Sequence, residues 1–114
     1  MNRFRLDGET AVVLGGTGAL GGAIAQGLGE AGAKVAVLGR NTARGAERVE
    51  ALIKAGVKAE FFTANALDRA SLLAAKDAVE AAFGPVTILV NAAGGNDPKA
   101  TVTAERPVED ARPP

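Results

Sequence analysis

The sequence predicts an α/β fold, a parallel sheet covered by helices, and three observations predict it. Short runs rich in β-branched residues alternate with alanine-rich runs of helical spacing, which is the pattern of crossover units rather than hairpins. The first β-rich run, TAVVL, is continuous and apolar, as a strand covered on both faces should be. Between it and the first helical run lies LGGTGALGGAIA, residues 14–25, with five glycines in its first nine positions.

Each element follows in order. Thr10–Leu14 is the first strand. From Ala19 the apolar spacing becomes helical, with Leu20, Ile24, Leu28 and Ala31 on one face and Gly32 as the stop. Residues 34–38 (KVAVL) form a second strand, and residues 42–55 a second helix with Val49, Leu52 and Ile53 inward, stopped by Gly56. Residues 58–62 (KAEFF) form a third strand. Asp68 is placed to cap a third helix whose apolar side is Leu72, Leu73, Ala75, Val79 and Ala82, with Gly84 and Pro85 ending it. Residues 86–90 (VTILV) make a fourth strand that runs into Asn91, Ala92, Ala93, Gly94, Gly95 and Asn96. Four of the five prolines fall in residues 97–114, where no periodic element is legible. The chain therefore divides into a sheet-and-helix unit over residues 1–96 and an irregular, flexible tail over residues 97–114. Four strands with three crossovers make half of a doubly wound sheet or slightly more, an incomplete form of about four β-α units.

Composition narrows the function. A chain of 114 residues is one domain at most, and 47% hydrophobic against 23% charged residues is globular rather than disordered. Acids and bases balance at 13 each, so nucleic acid and anionic membranes are not expected partners. Cysteine and histidine are absent, which excludes disulfides, thiolate nucleophiles, zinc fingers and a histidine-based triad within the chain. No metal site is expected. The first seven residues lack an apolar signal core and no run is long enough to span a membrane, so the chain reads as cytoplasmic.

The glycines sit where a strand hands over to a helix, at the carboxyl end of the sheet where such folds bind ligands. Residues 16–21 fit GxGxxG, and Gly15, Ala19 and Gly21 fit a related spacing. Missing Cβ atoms permit a tight turn and let a pyrophosphate approach the backbone, while the helix start presents N–H groups to an anion. The helix dipole adds roughly 0.3 to 1 kcal/mol to that attraction. No Lys-Ser or Lys-Thr follows the glycines, which argues against a P-loop. A turn that needs glycine only for packing is the other reading of this stretch. At the end of the second strand the residues are Val37, Leu38, Gly39, Arg40 and Asn41, with no acid to hold a ribose 2′-hydroxyl. Gly39 leaves room for a bulkier group and Arg40 offers a forked cation, so NADP is favoured over NAD as cofactor. The competing reading is an arginine that is simply solvated.

Residues 5–41, followed by VNAAG at residues 90–94, carry a pattern that resembles the amino-terminal half of the short-chain dehydrogenase/reductase family. The resemblance implies a Rossmann-like sheet. By it, Gly15, Thr17, Gly18, Leu20 and Gly21 would line the pyrophosphate and adjacent ribose, and Arg40 would meet the 2′-phosphate. Asn65 and Ala66 stand where the family commonly has Asp-Val at the adenine; the amide oxygen of Asn65 still accepts a bond. Asn91, Ala93 and Gly94 match the turn that borders the nicotinamide-side ribose. Leu14 stands where the family usually has a threonine whose hydroxyl ties the first strand to that turn, a bond leucine cannot make. Residues 91–102 (NAAGGNDPKATV) further look like members acting on sugar acids, of the mannonate or fructuronate oxidoreductase kind; a plain Gly-Pro turn is the bland reading of the same stretch.

Family enzymes use a tyrosine acid/base, a lysine four residues later and a serine that orients the substrate. This chain has no tyrosine, and its single serine, Ser71, lies in the first turn of a helix, where a structural role is expected. No catalytic residue is therefore assigned, and whether the chain is itself an enzyme is left open. The expectation is the cofactor-binding half of an NAD(P)-dependent oxidoreductase acting on a carbonyl or secondary alcohol, truncated or with its reading frame lost near Pro107. A substrate would bind only if the missing half were supplied. The alternative is a non-catalytic dinucleotide-binding or sensor module. Ending at the fourth strand leaves an apolar strand edge unpaired, so self-association is expected.

Overall fold

The computed structural model describes residues 5–15 and 17–92. Seven elements alternate along it: β1 (Thr10–Leu14), α1 (Ala19–Glu30), β2 (Lys34–Gly39), α2 (Thr42–Lys54), β3 (Ala59–Thr63), α3 (Arg69–Phe83) and β4 (Ile88–Asn91). The strands form one parallel sheet in the order β3-β2-β1-β4. This is the Rossmann-like arrangement expected, since β4 crosses back to pair with β1 on the side away from β2. The proposed tail, residues 97–114, lies outside the described residues.

Strand parity divides the core into two layers. Val13, Val35, Val37 and Val90 pack with Ala25 of α1 and Leu52 of α2. Val12, Leu14, Ala36 and Leu38 pack with Ala75, Val79 and Phe83 of α3. Because every strand of β1 and β2 is buried on both faces, its sequence is continuously apolar rather than alternating.

Helix ends follow local chemistry. Asn41 caps α2, its Oδ1 accepting from the Arg44 N–H at 3.0 Å. Asp68 caps α3 by accepting from Ala70 and Ser71, as its position predicts. Gly32, Gly56 and Gly84 follow the three helices with φ of 112°, 87° and 96°, conformations that side chains resist.

The helix faces are where the sequence reading needs correction. Leu20, placed inward by spacing, is 63% exposed; the buried positions of α1 are Gly21, Gly22 and Ala25. These small residues let the helix approach the sheet closely, and Leu20 falls in the first turn, past the strand ends. Ile53 is 55% exposed and Leu73 50% exposed, each one residue, about 100°, off the inward faces carried by Leu52 and by Leu72, Ala75 and Val79. Ala82 is likewise exposed, and Phe83 takes the buried place beside it.

The two ends of the sheet differ. At the amino-terminal end, the Phe83 carbonyl accepts from Lys34 Nζ at 2.7 Å and from Thr10 Oγ1 at 3.3 Å, so the last turn of α3 is tied to β1 and β2. The Thr10 N–H donates to Thr87 Oγ1, and the Thr87 N–H donates to the Thr10 carbonyl, fastening the start of β4. Beside β4, a cleft of about 500 Å³ runs between α3 and the sheet, bordered by Leu72, Leu73, Lys76, Ile88 and Leu89. Among the described residues, no helix is long and apolar enough to cross a membrane.

Candidate functional site

The carboxyl ends of four parallel strands necessarily meet at one end of the sheet, and the predicted residues gather there. β1 ends in the glycine turn. The Gly15 N–H donates to the Leu38 carbonyl of β2 at 2.9 Å, and Gly15 itself has φ of 81°, so this position requires glycine. The Gly18 N–H returns to the Gly15 carbonyl at 3.2 Å, closing the turn.

Gly18 is a different case. It is the N-cap of α1 with φ of −80°, and an added Cβ would lie 3.7 Å from the Gly15 carbonyl oxygen, an ordinary contact. Among the described residues, neither backbone strain nor internal crowding therefore demands glycine here. Nor does α1 have a side-chain cap at this position, whereas α2 and α3 are capped by Asn41 and Asp68. The result is an open helix start, over which an anion has room to approach and donors to meet it.

The neighbouring strand ends frame this turn. Gly39, at the end of β2, faces Thr17: a Cβ there would lie 3.3 Å from Thr17 Cγ2 and 3.8 Å from the Phe61 ring. The room that Gly39 was expected to leave is thus taken up first by Thr17, which it draws against β2. Arg40 is exposed and makes no ion pair among the described residues. Gly21 is buried in α1 against the sheet, and Leu20 beside it projects outward.

After β3, the Ala64 N–H donates to the Gly39 carbonyl at 2.9 Å, fixing the start of the next loop to β2. Asn65 organises that loop. Its N–H donates to Ser71 Oγ at 2.9 Å, and its Oδ1 accepts from the Leu67 N–H at 3.0 Å in an Asx turn. Ser71 has the structural part expected of it, and one lone pair of the Asn65 amide oxygen is engaged within the chain. Ala66 is exposed on the same loop.

Asn91, at the end of β4, pairs in register with Leu14. Main chain continues the pairing beyond this point, the Ala92 N–H donating to the Leu14 carbonyl at 2.8 Å, and the Leu14 side chain adds no hydrogen bond to it. Ala93 and Gly94 lie outside the described residues. The structure thus brings Gly15, Thr17, Gly18, Leu20, Arg40, Asn65, Ala66 and Asn91 to one end of the sheet. Sequence reasoning missed Asn41 as a helix cap, although an Asn just before a helical run is a recognisable signal.

The model of the family described as short chain dehydrogenase matches residues 9–111. The chain is 43% identical over 100 residues to an uncharacterized oxidoreductase, UxuB, of Bacillus subtilis, covering 88% of this chain and 36% of that protein. Its fold is similar to a proposed D-mannonate oxidoreductase from Haemophilus influenzae with bound NAD, with a TM-score of 0.78 at 28% identity, covering 87% of this chain and 35% of that one. It is also similar to an actinorhodin polyketide ketoreductase with NADPH, with a TM-score of 0.71 at 35% identity over 73% of this chain and 32% of that one. The chain spans little more than a third of the length of the curated relatives it matches.

Proposed function

The chain belongs to the short-chain dehydrogenase family, and from that premise we propose that it is the dinucleotide-binding part of an oxidoreductase acting on a carbonyl or secondary alcohol. The observation that carries this reading is Gly18: a glycine that its own fold does not need, at an uncapped helix start. The missing side chain serves something that approaches from outside, and a pyrophosphate fits both the space and the donors. In this reading Gly15, Thr17, Gly18, Leu20 and Gly21 line the pyrophosphate and its ribose, Asn65 and Ala66 border the adenine, and Asn91 with Ala93 and Gly94 borders the nicotinamide-side ribose. The bound dinucleotide supplies or accepts the hydride, and the residues of this chain hold and orient it.

NADP is the preferred cofactor. The similar structures include one with NADPH and one with NAD, so the preference rests on Arg40, an exposed guanidinium in no ion pair among the described residues. Each charge-assisted bond it makes to a 2′-phosphate contributes on the order of 1.5 to 3 kcal/mol. Among substrates, sugar acids are the class suggested by residues 91–102 and by the likeness to the Haemophilus protein. No tyrosine is present in the 114 residues; the proposal places the acid/base group in the further length that the relatives possess.

Calorimetric titration of the full chain with NADPH and NADH tests the reading. The expected result is binding of both, with NADPH tighter by roughly tenfold or more, and loss of both in Gly18→Val. A chain that binds neither dinucleotide, or a Gly18→Val variant that binds as well as its parent, would overturn it.

A further inference from the structure

We propose that Arg44, which belongs to none of the motifs above, is a second determinant of selectivity for a 2′-phosphorylated adenosine beside Arg40; the inference rests on the dinucleotide reading. It follows from the register between two helices. α1 and α2 each follow a strand of the same parallel sheet and pack on the same face of it, so both begin at the site end and run away from it. Their relative position is fixed at one point by Arg48, whose guanidinium lies over Gly22. A Cβ on Gly22 would lie 2.5 Å from Arg48 Cζ and 2.7 Å from its Nε and Nη1.

One turn back toward the site on each helix leads from Arg48 to Arg44 and from Gly22 to Gly18. Residues four apart share a helix side, so Arg44 is set level with the open start of α1, on the flank of the glycine turn. Arg40 lies four residues earlier again, at the end of β2 where Gly39 meets Thr17. Positions 44 and 48 therefore lie on one side of α2, and Arg40, which precedes the Asn41 cap and is outside the helix, completes a row of three arginines along the chain.

Among the described residues, no ion pair offsets the charges in this row. The ion pairs among the described residues join Arg5 to Asp7, Lys54 to Glu50 and Lys76 to Glu80, and none includes the three arginines. The first turn of α2 holds no acid, and Glu47, three residues beyond Arg44, is exposed and in no ion pair with it. Arg48 is committed to its packing, with its Nε buried and without a hydrogen-bond partner. Arg44 is exposed, and its main chain is held by Asn41 at 3.0 Å, so its long side chain is free to serve a ligand while its base is fixed. A phosphate dianion takes two guanidinium forks at once, which a ribose hydroxyl does not.

Calorimetry on the full chain with 2′,5′-ADP and with 5′-AMP separates the extra phosphate from the rest of the nucleotide. The expected result is that Arg44→Gln weakens 2′,5′-ADP by about tenfold or more, leaves 5′-AMP unchanged and melts like its parent, while Arg44→Lys retains part of the preference. Should Arg44→Gln bind 2′,5′-ADP normally while Arg40→Gln does not, the inference about Arg44 falls and the NADP reading stands. A parent chain that does not distinguish the two nucleotides overturns both. Equal weakening of the two nucleotides by Arg44→Gln marks a structural effect and also overturns the inference.

Discussion

Gly27→Ala and Gly45→Ala make one chemical change in two settings. Both residues are inside helices, α1 and α2, so each substitution gains up to about 1 kcal/mol of helix propensity. At Gly27 a Cβ meets nothing within 4 Å, whereas at Gly45 it overlaps the ring of Phe61 on β3. That ring is half-buried and packed against the layer of Val35, Val37 and Leu52, which restricts its retreat. Overpacking of this kind costs about 1 to 3 kcal/mol. Gly27→Ala should therefore stabilise the chain by up to ~1 kcal/mol, and Gly45→Ala should range from neutral to destabilised by ~2 kcal/mol. Since the propensity gain is common to both, the difference between the two variants isolates the clash. Urea unfolding with linear extrapolation measures it, and each ~1 kcal/mol should also move the thermal midpoint by roughly 4 to 8 °C. If the two variants gain stability in parallel, to within about 0.5 kcal/mol, the close approach of α2 to β3 does not have the energetic weight assigned to it.

Asp68→Ala removes the cap of α3 and should cost about 0.5 to 2 kcal/mol in a circular dichroism melt, with Asp68→Asn retaining most of it; an unchanged Ala variant would show that the cap is idle. The hydrogen bond from Arg5 holds the Asp7 carboxyl below its usual range, opposed by desolvation and helped by the Arg5 charge. The folded-state value is thus depressed, so the stability this pair adds is present above the ordinary carboxylate range and is lost as pH falls through the folded value. Both groups are exposed and the effect is small and salt-screened; urea midpoints of the parent and Asp7→Asn should converge as pH falls below the ordinary carboxylate range, and a gap that widens in acid contradicts the sign. Among the described residues β4 pairs on one side only, and Leu89 is 54% exposed, so sedimentation should show concentration-dependent association that Leu89→Lys suppresses, whereas a monodisperse parent monomer would count against it.

Strand positions were legible because β-branched runs bounded by Gly, Pro and Asn leave few alternatives; the observed strands start or end within two residues of the predicted ones. Helix existence was equally readable, as was the Asp68 cap of α3, whereas the Asn41 cap of α2 was missed. Helix faces were less so: Leu20, Ile53, Leu73 and Ala82 were assigned inward because hydrophobicity alone was weighed, while the sheet selects α1 by the smallness of Gly21, Gly22 and Ala25. Phe83 was passed over because the glycine stop follows it directly. The site residues could be gathered from sequence since a parallel sheet must bring its strand ends together. Arg44 could not, because its position depends on the register of Arg48 against Gly22, a contact between helices that no local pattern encodes.

The return of β4 to β1 also bears on the order in which the chain assembles. Thr10 finds Lys34 after a single short crossover, but it must close a loop to Thr87, 77 positions away, before β4 can dock. The longer closure costs roughly 1 kcal/mol more chain entropy, so the β1-β2-β3 unit should form first and β4 last. The glycine turn after β1 would then be standing before Asn91 arrives beside it. Pulse-labelled hydrogen exchange during refolding reads this order directly: amides of β1 and β2 should gain protection before those of β4, and simultaneous protection would mean that the four strands condense as one nucleus.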